Sequence, residues 1–151
     1  QLMGLPAFEA DYLFLAPLIQ ARLESQVPDI PVDVCERADQ VLAADRRQRV
    51  VMVMWAGDRP DTSDTGRAGA GASQLIHQRW LVMLAISSVG KQPDARSAGA
   101  GRALSQLHKA LAGWTPEGAA RAMRRALAPL QPTFTDSKAV YPLGFEITLT
   151  L

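Results

Sequence analysis

The sequence predicts an α+β fold: an antiparallel β-sheet with helices packed on one face, in a single domain over residues 1–151. Three observations predict it. Two apolar, β-branched runs at 50–56 and 80–86 have the length of strands. Helical periodicity precedes the first run and follows the second. The last residues alternate apolar and polar, as a strand with one covered face does.

The stretch Gln78–Ser88 is predicted to be the central strand. Its two faces are both apolar, with Trp80, Val82, Leu84 and Ile86 on one and Leu81, Met83 and Ala85 on the other. A strand that is apolar on both faces must be covered on both. Helices on one side cover one face only, so the second face requires another layer or a neighbouring copy of the chain.

The elements before this strand follow from periodicity and prolines. A helical pattern covers 8–27, and its regular part should begin near Ala16, because proline is tolerated in a first turn. A short strand at 32–36 and a short helical turn at 38–45 come next. A second long strand is predicted at 50–56.

The elements after the central strand are predicted to be two helices and a hairpin. Apolar spacing indicates a helix from Ser97 through Trp114 and another over 115–129, which Thr115 would cap. Strands at 130–134 and 139–151 should form the hairpin. In the last strand the expected inward residues are Phe145, Ile147, Leu149 and Leu151, and the outward ones Glu146, Thr148 and Thr150.

Residues 57–73 form a long polar loop between the two long strands. Hairpin loops usually need two to five residues, so this loop is predicted to be a functional arm or a disordered segment. Its acidic residues Asp58, Asp61 and Asp64 do not have the spacing of an EF-hand calcium loop. Its glycines match no phosphate-binding pattern.

Composition and motifs argue against most function classes. A net charge of +1 does not favour a strongly basic nucleic-acid binder. The single cysteine, Cys35, fits a reducing compartment, and no signal peptide or membrane span is expected. His77 and His108 lack a recognisable nucleophile and orienting carboxylate. We therefore expect no catalytic site, no cofactor and no metal site, but an assembly protein.

Five segments together resemble a known family. They are VDVCERADQVLA, RVVMVMWAGDRP, HQRWLVMLAISS, AGAGRALSQLHKALAGWTP and YPLGFEITLTL. In this order, over about residues 10–151, the chain resembles the tail terminator proteins of long-tailed bacteriophages, especially the Mu-like branch. The most specific parts are the helix end with Leu111, Gly113, Trp114 and Pro116, and the strand Tyr141–Phe145.

The resemblance implies a structural virion protein without catalytic residues. Such a protein forms a ring, typically a hexamer, that caps the tail tube, stops tube polymerisation and joins the tail to the head or neck. Its partners would be its own copies, the tube protein and the neck or head–tail connector proteins, with DNA only passing through the lumen. It would assemble in the host bacterial cytoplasm and occupy the head-proximal end of the tail, with no membrane contact.

Two sets of contact residues are hypothesised on this basis. The polar loop would touch the tube or neck through Arg59, Asp61, Asp64 and Arg67. The subunit interface would use Leu81, Met83, Arg121 and Arg124. The second set includes the face of the central strand that no helix is expected to cover.

Other functions stay open from the residues alone. A neck or head–tail completion protein is the nearest alternative. A small hydrolase would combine His77 or His108 with Asp58, although no spacing supports it. A small nucleic-acid-binding regulator would depend on the basic run at 46–49.

Overall fold

The computed structural model describes residues 11–37, 40, 49–60, 75–87, 93–135 and 137–150, with backbone alone over 93–98. Within these residues the chain has two helices and six strands. They are α1 (Leu15–Gln26), β1 (Val32–Val34), β2 (Arg49–Pro60), β3 (Leu75–Ser87), α2 (Pro93–Leu111), β4 (Arg124–Ala126), β5 (Thr133–Phe134) and β6 (Lys138–Thr150).

The six strands form one sheet with β3 at its centre. The order is β1-β2-β3-β6-β4, and β5 also pairs with β6. β1 is parallel to β2, and every other pairing is antiparallel. β3 pairs with β6 from Leu75 opposite Thr150 to Ser87 opposite Lys138. The predicted α+β fold and the predicted central strand are both confirmed.

Both helices pack on one face of this sheet. α1 contributes Leu15, Ile19 and Leu23, whose spacing of four residues keeps them on one side of the helix. They join a cluster that contains Trp80 and Phe145 of the sheet. Such a fully buried apolar side chain contributes about 1.5–3 kcal/mol. This face therefore holds the main core.

Arg22 joins the two helices to each other. Its Nε donates to the carbonyl oxygen of Ala110 on α2 at 2.9 Å. Its guanidinium lies 5.5 Å from the ring centre of Trp114, which is cation–π geometry. The guanidinium group of Arg22 thus has interaction partners at the contact between the helices, although the side chain is not fully buried.

The second face of β3 is also buried within the single chain. Leu81 is 0% exposed and Met83 is 1% exposed, in a cluster with Met52 and Val140. Ala128, from the irregular segment after β4, packs against this cluster. The expectation that a single chain leaves this face open is wrong, because side chains of the same chain, Ala128 among them, pack against this cluster. Leu81 and Met83 are therefore core residues.

The helix predicted over 115–129 is also wrong. The chain turns at Gly118, with φ +91°, and then forms β4. Gly113 N–H donates to the oxygen of Met123, and Met123 N–H donates to the oxygen of Trp114, both at 2.8 Å. Met123 is buried in the main core. These tertiary contacts outweigh a local helix preference of a few tenths of a kcal/mol per residue.

Other boundaries differ by a few residues. α2 begins at Pro93 rather than Ser97 and ends before Gly113, whose φ of +84° suits a helix C-terminus. β2 continues to Pro60, so it takes the first residues of the predicted polar loop. Residues 61–74 of that loop lie outside the described part, as does the helical turn predicted over 38–45, apart from Gln40.

Candidate functional site

A buried carboxylate lies among three arginines on the second face of the sheet. In the strand register, Glu146 on β6 is opposite Arg79 on β3 and Arg124 on β4. Arg59 on β2 donates to both oxygens of Glu146, with Nη2–Oε1 3.0 Å and Nε–Oε2 3.3 Å. Arg124 donates through Nε and Nη2 to Oε1. Arg79 Nε lies 3.6 Å from Oε2. We call these four residues the arginine cluster.

The arginine cluster has a buried centre and an exposed rim. The side chain of Glu146 is 5% exposed, whereas those of Arg59, Arg79 and Arg124 are 40%, 49% and 60% exposed. Three positive groups and one negative group leave an excess of two positive charges. Burial raises the pKa of Glu146, but the hydrogen bonds and charges of Arg124 and Arg59 outweigh it and hold the pKa below its usual value.

The chain beside β6 forms a cavity over the cluster. This cavity of about 240 Å³ is lined by Arg59, Arg79, Glu146 and residues 126–129. Gly144 allows residues 126–129 to approach β6 closely, because a Cβ at position 144 would lie 2.7 Å from the backbone oxygen of Ala126. Leu127 projects from this segment and is 90% exposed. A large apolar side chain thus lies on the surface next to an excess of positive charge.

A second surface lies toward the β1 edge of the sheet, on the side that carries the helices. Where α1 begins, a depression of about 350 Å³ opens between this helix and strands β1 and β2. We call it the apolar groove, and its lining residues are Leu13, Ala16, Val34, Cys35, Glu36, Trp55 and Trp80. Leu13, Val34 and Trp55 are exposed. Grouped exposed apolar side chains of this kind mark an interaction surface.

Hydrogen bonds hold the segment before α1 against the sheet and so shape the groove. Gln78, which is buried, donates from Nε2 to the oxygen of Tyr12 at 2.8 Å and accepts from Trp80 Nε1 at 3.2 Å. The Tyr12 ring meets Trp55 edge-on at 6.3 Å, and its hydroxyl donates to Asp58. Burial, followed by the bond to Asp58 and the charge of Asp58, raises the pKa of the Tyr12 hydroxyl.

Both outer edges of the sheet are partly capped. At the β1 edge, Gln20 Nε2 donates to the oxygen of Val32 at 2.9 Å. Along β6, the short strands β4 and β5 pair with part of the edge, and Ala120 N–H donates to the oxygen of Thr148 at 2.9 Å. Short or covered edge strands disfavour strand addition. Contacts at these edges are therefore expected to use side chains.

The histidines and Asp58 do not form a catalytic group. His77 Nδ1 lies 2.9 Å from Thr148 Oγ1 and 3.9 Å from Glu146 Oε1. Asp58 is opposite Gln78 in the register, so it lies on the other sheet face from His77. The His108 ring is 6.3 Å from that of Phe145. Within the described residues, no cluster of three or more His, Cys, Asp or Glu could hold a metal ion.

The predicted contact residues lie in different environments in the structure. Arg59 lies in the arginine cluster, while Asp61, Asp64 and Arg67 are outside the described residues. Arg124 belongs to the arginine cluster, Arg121 is exposed, and Leu81 and Met83 are buried. Sequence reasoning missed Glu146, which was expected on an outward face. The one sequence feature that could have indicated its role is its position, since it is a charged residue between the core positions Phe145 and Ile147.

Comparison with known proteins identifies one family. The model of that family, described as phage tail terminator protein, matches residues 9–151. No curated protein matches the chain, and no helix in the described part is long and apolar enough to cross a membrane. The resemblance inferred from the sequence is confirmed at family level, and the Mu-like branch stays a prediction. As a structural phage tail protein that acts in the virion with other tail components, the chain belongs to the phage tail terminator family.

Proposed function

We propose that the protein forms a closed ring that caps the tail tube, stops tube polymerisation and offers a surface to the head or neck. The observation that supports this is the presence of two unlike surfaces on one subunit, the apolar groove on the helix side of the sheet and the arginine cluster with Leu127 on the second face. A ring of identical subunits needs a heterologous contact, in which a patch on one copy meets a different patch on the next. The apolar groove and the arginine cluster with Leu127 are suited to such a contact.

The proposed partners follow from this role. The ring is a hexamer of the Mu-like branch, and it contacts the tail tube protein on one side and neck or head–tail connector proteins on the other. DNA passes through the lumen, and a chain net charge of +1 suits a passage that should not retain phosphate. The role is structural, without catalysis, and assembly takes place in the host bacterial cytoplasm before the ring becomes the head-proximal end of the tail.

The polar residues Asp61, Asp64 and Arg67 are proposed to contact the tube or neck. Their segment carries many small and polar residues and no large apolar one. Deleting residues 62–69 is expected to leave the fold and the ring intact and to impair tail joining. Thermal unfolding and light scattering test the first part, and the yield of joined particles tests the second. Full assembly of phage particles by the deletion variant would contradict this proposed role.

The main test uses phage lysates that lack the protein. Negative-stain images should show abnormally long tails, because nothing would stop the tube from growing. Tails of normal length without heads would instead indicate a joining or completion protein. Light scattering of the purified wild-type protein should give the mass of a closed ring. A monomer at all concentrations, together with normal tails in the lysate, would overturn the proposal.

A further inference from the structure

We propose which surfaces meet between neighbouring copies: Leu127 of one copy enters the apolar groove of the next, and the arginine cluster beside it faces Glu36 in that groove. This inference depends on the proposed ring. It assigns the contact to the exposed Leu127 and the exposed arginines of the cluster, and not to the buried side chains of Leu81 and Met83. Each copy supplies the groove to one neighbour and Leu127 to the other, so the same pairing repeats around the ring.

The apolar part of the contact is argued from exposure. Leu127 is more exposed than any other large apolar side chain in the described residues, at 90%. Its segment is held close to β6 at Gly144, so the side chain projects from a fixed backbone. Phe134, which is also exposed on this side, already meets the Tyr141 ring edge-on at 5.5 Å. Leu127 is therefore the best candidate to fill an apolar depression on another copy.

The groove has the matching properties. Val34 and Trp55 line it and are exposed, so the walls are apolar and accessible. Glu36, which is exposed, supplies a negative charge in the lining. Asp58 adds another exposed carboxylate nearby, through its bond with Tyr12 beside Trp55. The groove is thus an apolar site with one carboxylate in its lining and a second one nearby.

The charges of the two surfaces favour a second copy of the chain, arranged head to tail, as the binding partner. The arginine cluster has an excess of two positive charges, and the exposed Arg121 and Arg125 lie close to it in the chain. Pairing two such surfaces would place arginines against arginines, which disfavours a two-fold dimer. Pairing this surface with the groove and its carboxylates joins opposite charges. The same two surfaces then repeat from copy to copy until the ring closes.

Directed cross-linking tests the pairing. The variant Val34→Cys/Cys35→Ser/Leu127→Cys has one thiol in the groove and one at position 127, and Cys35→Ser removes the only native thiol. With a short thiol-specific cross-linker it should give a ladder of covalent oligomers up to the ring size on a denaturing gel. The matched controls, Val34→Cys/Cys35→Ser and Leu127→Cys/Cys35→Ser, should give no ladder.

Assembly of single variants provides a second measurement. Leu127→Asp should raise the concentration needed for half-assembly by about tenfold or more, while its melting temperature stays that of the wild type, because the side chain is exposed. Glu36→Lys should weaken assembly in the same direction. Glu24→Lys, which reverses an exposed charge on α1 outside the groove, is the matched control and should assemble normally.

The outcomes separate this inference from the proposed function. If the wild type forms rings but the two-thiol variant gives no ladder and Leu127→Asp assembles normally, the pairing is wrong and the ring stands. If the wild type forms no ring and phage lysates without the protein contain normal tails, both the proposed ring and the proposed pairing are wrong. A ladder that stops at dimers would also overturn the pairing, since it indicates a two-fold contact.

Discussion

Replacing Glu146 by glutamine tests the energetic role of the arginine cluster. The amide keeps the shape of the side chain but removes its charge and turns an N–H₂ group toward the guanidinium donors. A hydrogen bond to a charged group contributes about 1.5–3 kcal/mol, and breaking a fully buried ion pair costs about 3–5 kcal/mol. Arg59 and Arg124 are 40% and 60% exposed, so water screens the interaction. We therefore expect a loss of about 2 kcal/mol.

Thermal and urea unfolding at neutral pH measure this loss. For a domain of this size, 2 kcal/mol corresponds to a fall of about 4–8 °C in Tm. Glu24→Gln is the matched control, because Glu24 is exposed on α1 outside the apolar groove and its replacement should change the free energy of unfolding by less than about 0.5 kcal/mol. If Glu146→Gln melts with the wild type, the cluster does not stabilise the fold and the reasoning fails.

The pH dependence provides an independent check on the same residue. The pKa of Glu146 is lower in the folded state than its ordinary value of 4.5. Its contribution is therefore present above that value and is lost as the pH falls through the folded pKa. The stability difference between wild type and Glu146→Gln should shrink in acid below about pH 4.5. Parallel stability profiles down to pH 2 would contradict this assignment.

Four further substitutions test local features. Gly144→Ala should cost about 1–3 kcal/mol in urea unfolding, since its Cβ would lie 2.7 Å from the oxygen of Ala126; wild-type stability would show that the segment yields freely. The wild type should lose stability above about pH 10, as the pH rises through the raised folded pKa of Tyr12, and Tyr12→Phe should lack this loss in alkaline unfolding curves; equal curves would contradict it. Gly113→Ala, at φ +84°, should lower the free energy of unfolding by about 1 kcal/mol, whereas Gly101→Ala within α2 should raise it by about 0.5–1 kcal/mol. Thermal unfolding in which both variants change in the same direction would contradict this difference.

The strands were predictable because their sequence signal is strong and local. The runs at 50–56 and 80–86 are β-branched and apolar, and both lie inside observed strands. The alternation around Phe145 likewise predicted β6. For α1, a proline in the first turn and apolar spacing were sufficient. In each case, local preference and tertiary packing favour the same structure.

The region after α2 was mispredicted because these two influences conflict there. Alanine and arginine between Thr115 and Pro129 favour a helix locally. The open edge of β6 offers backbone partners to β4, and the main core offers a site for Met123. Neither is visible in the sequence around 115–129, because both depend on residues far along the chain.

The candidate site was only partly predictable for a similar reason. Arg59 and Arg124 were singled out, yet nothing in their spacing indicates that both bind Glu146, 87 and 22 residues away. Strand register brings these residues together, and register is a property of the whole sheet. The apolar groove combines residues before α1, after β1 and in β2. Such a surface exists only once the chain has folded.

Burial of both sheet faces changes where assembly is expected to occur. A ring built through an open apolar face would tie folding to association, because each free subunit would expose its core. Here Leu81 and Met83 are buried in one chain, and the accessible apolar residues include Leu127 and Trp55. A subunit of this kind can be stable on its own and associate afterwards. Assembly should then be separable from stability: a substitution at Leu127 should weaken the ring without unfolding the chain, whereas one at Leu81 should weaken the ring and destabilise the fold.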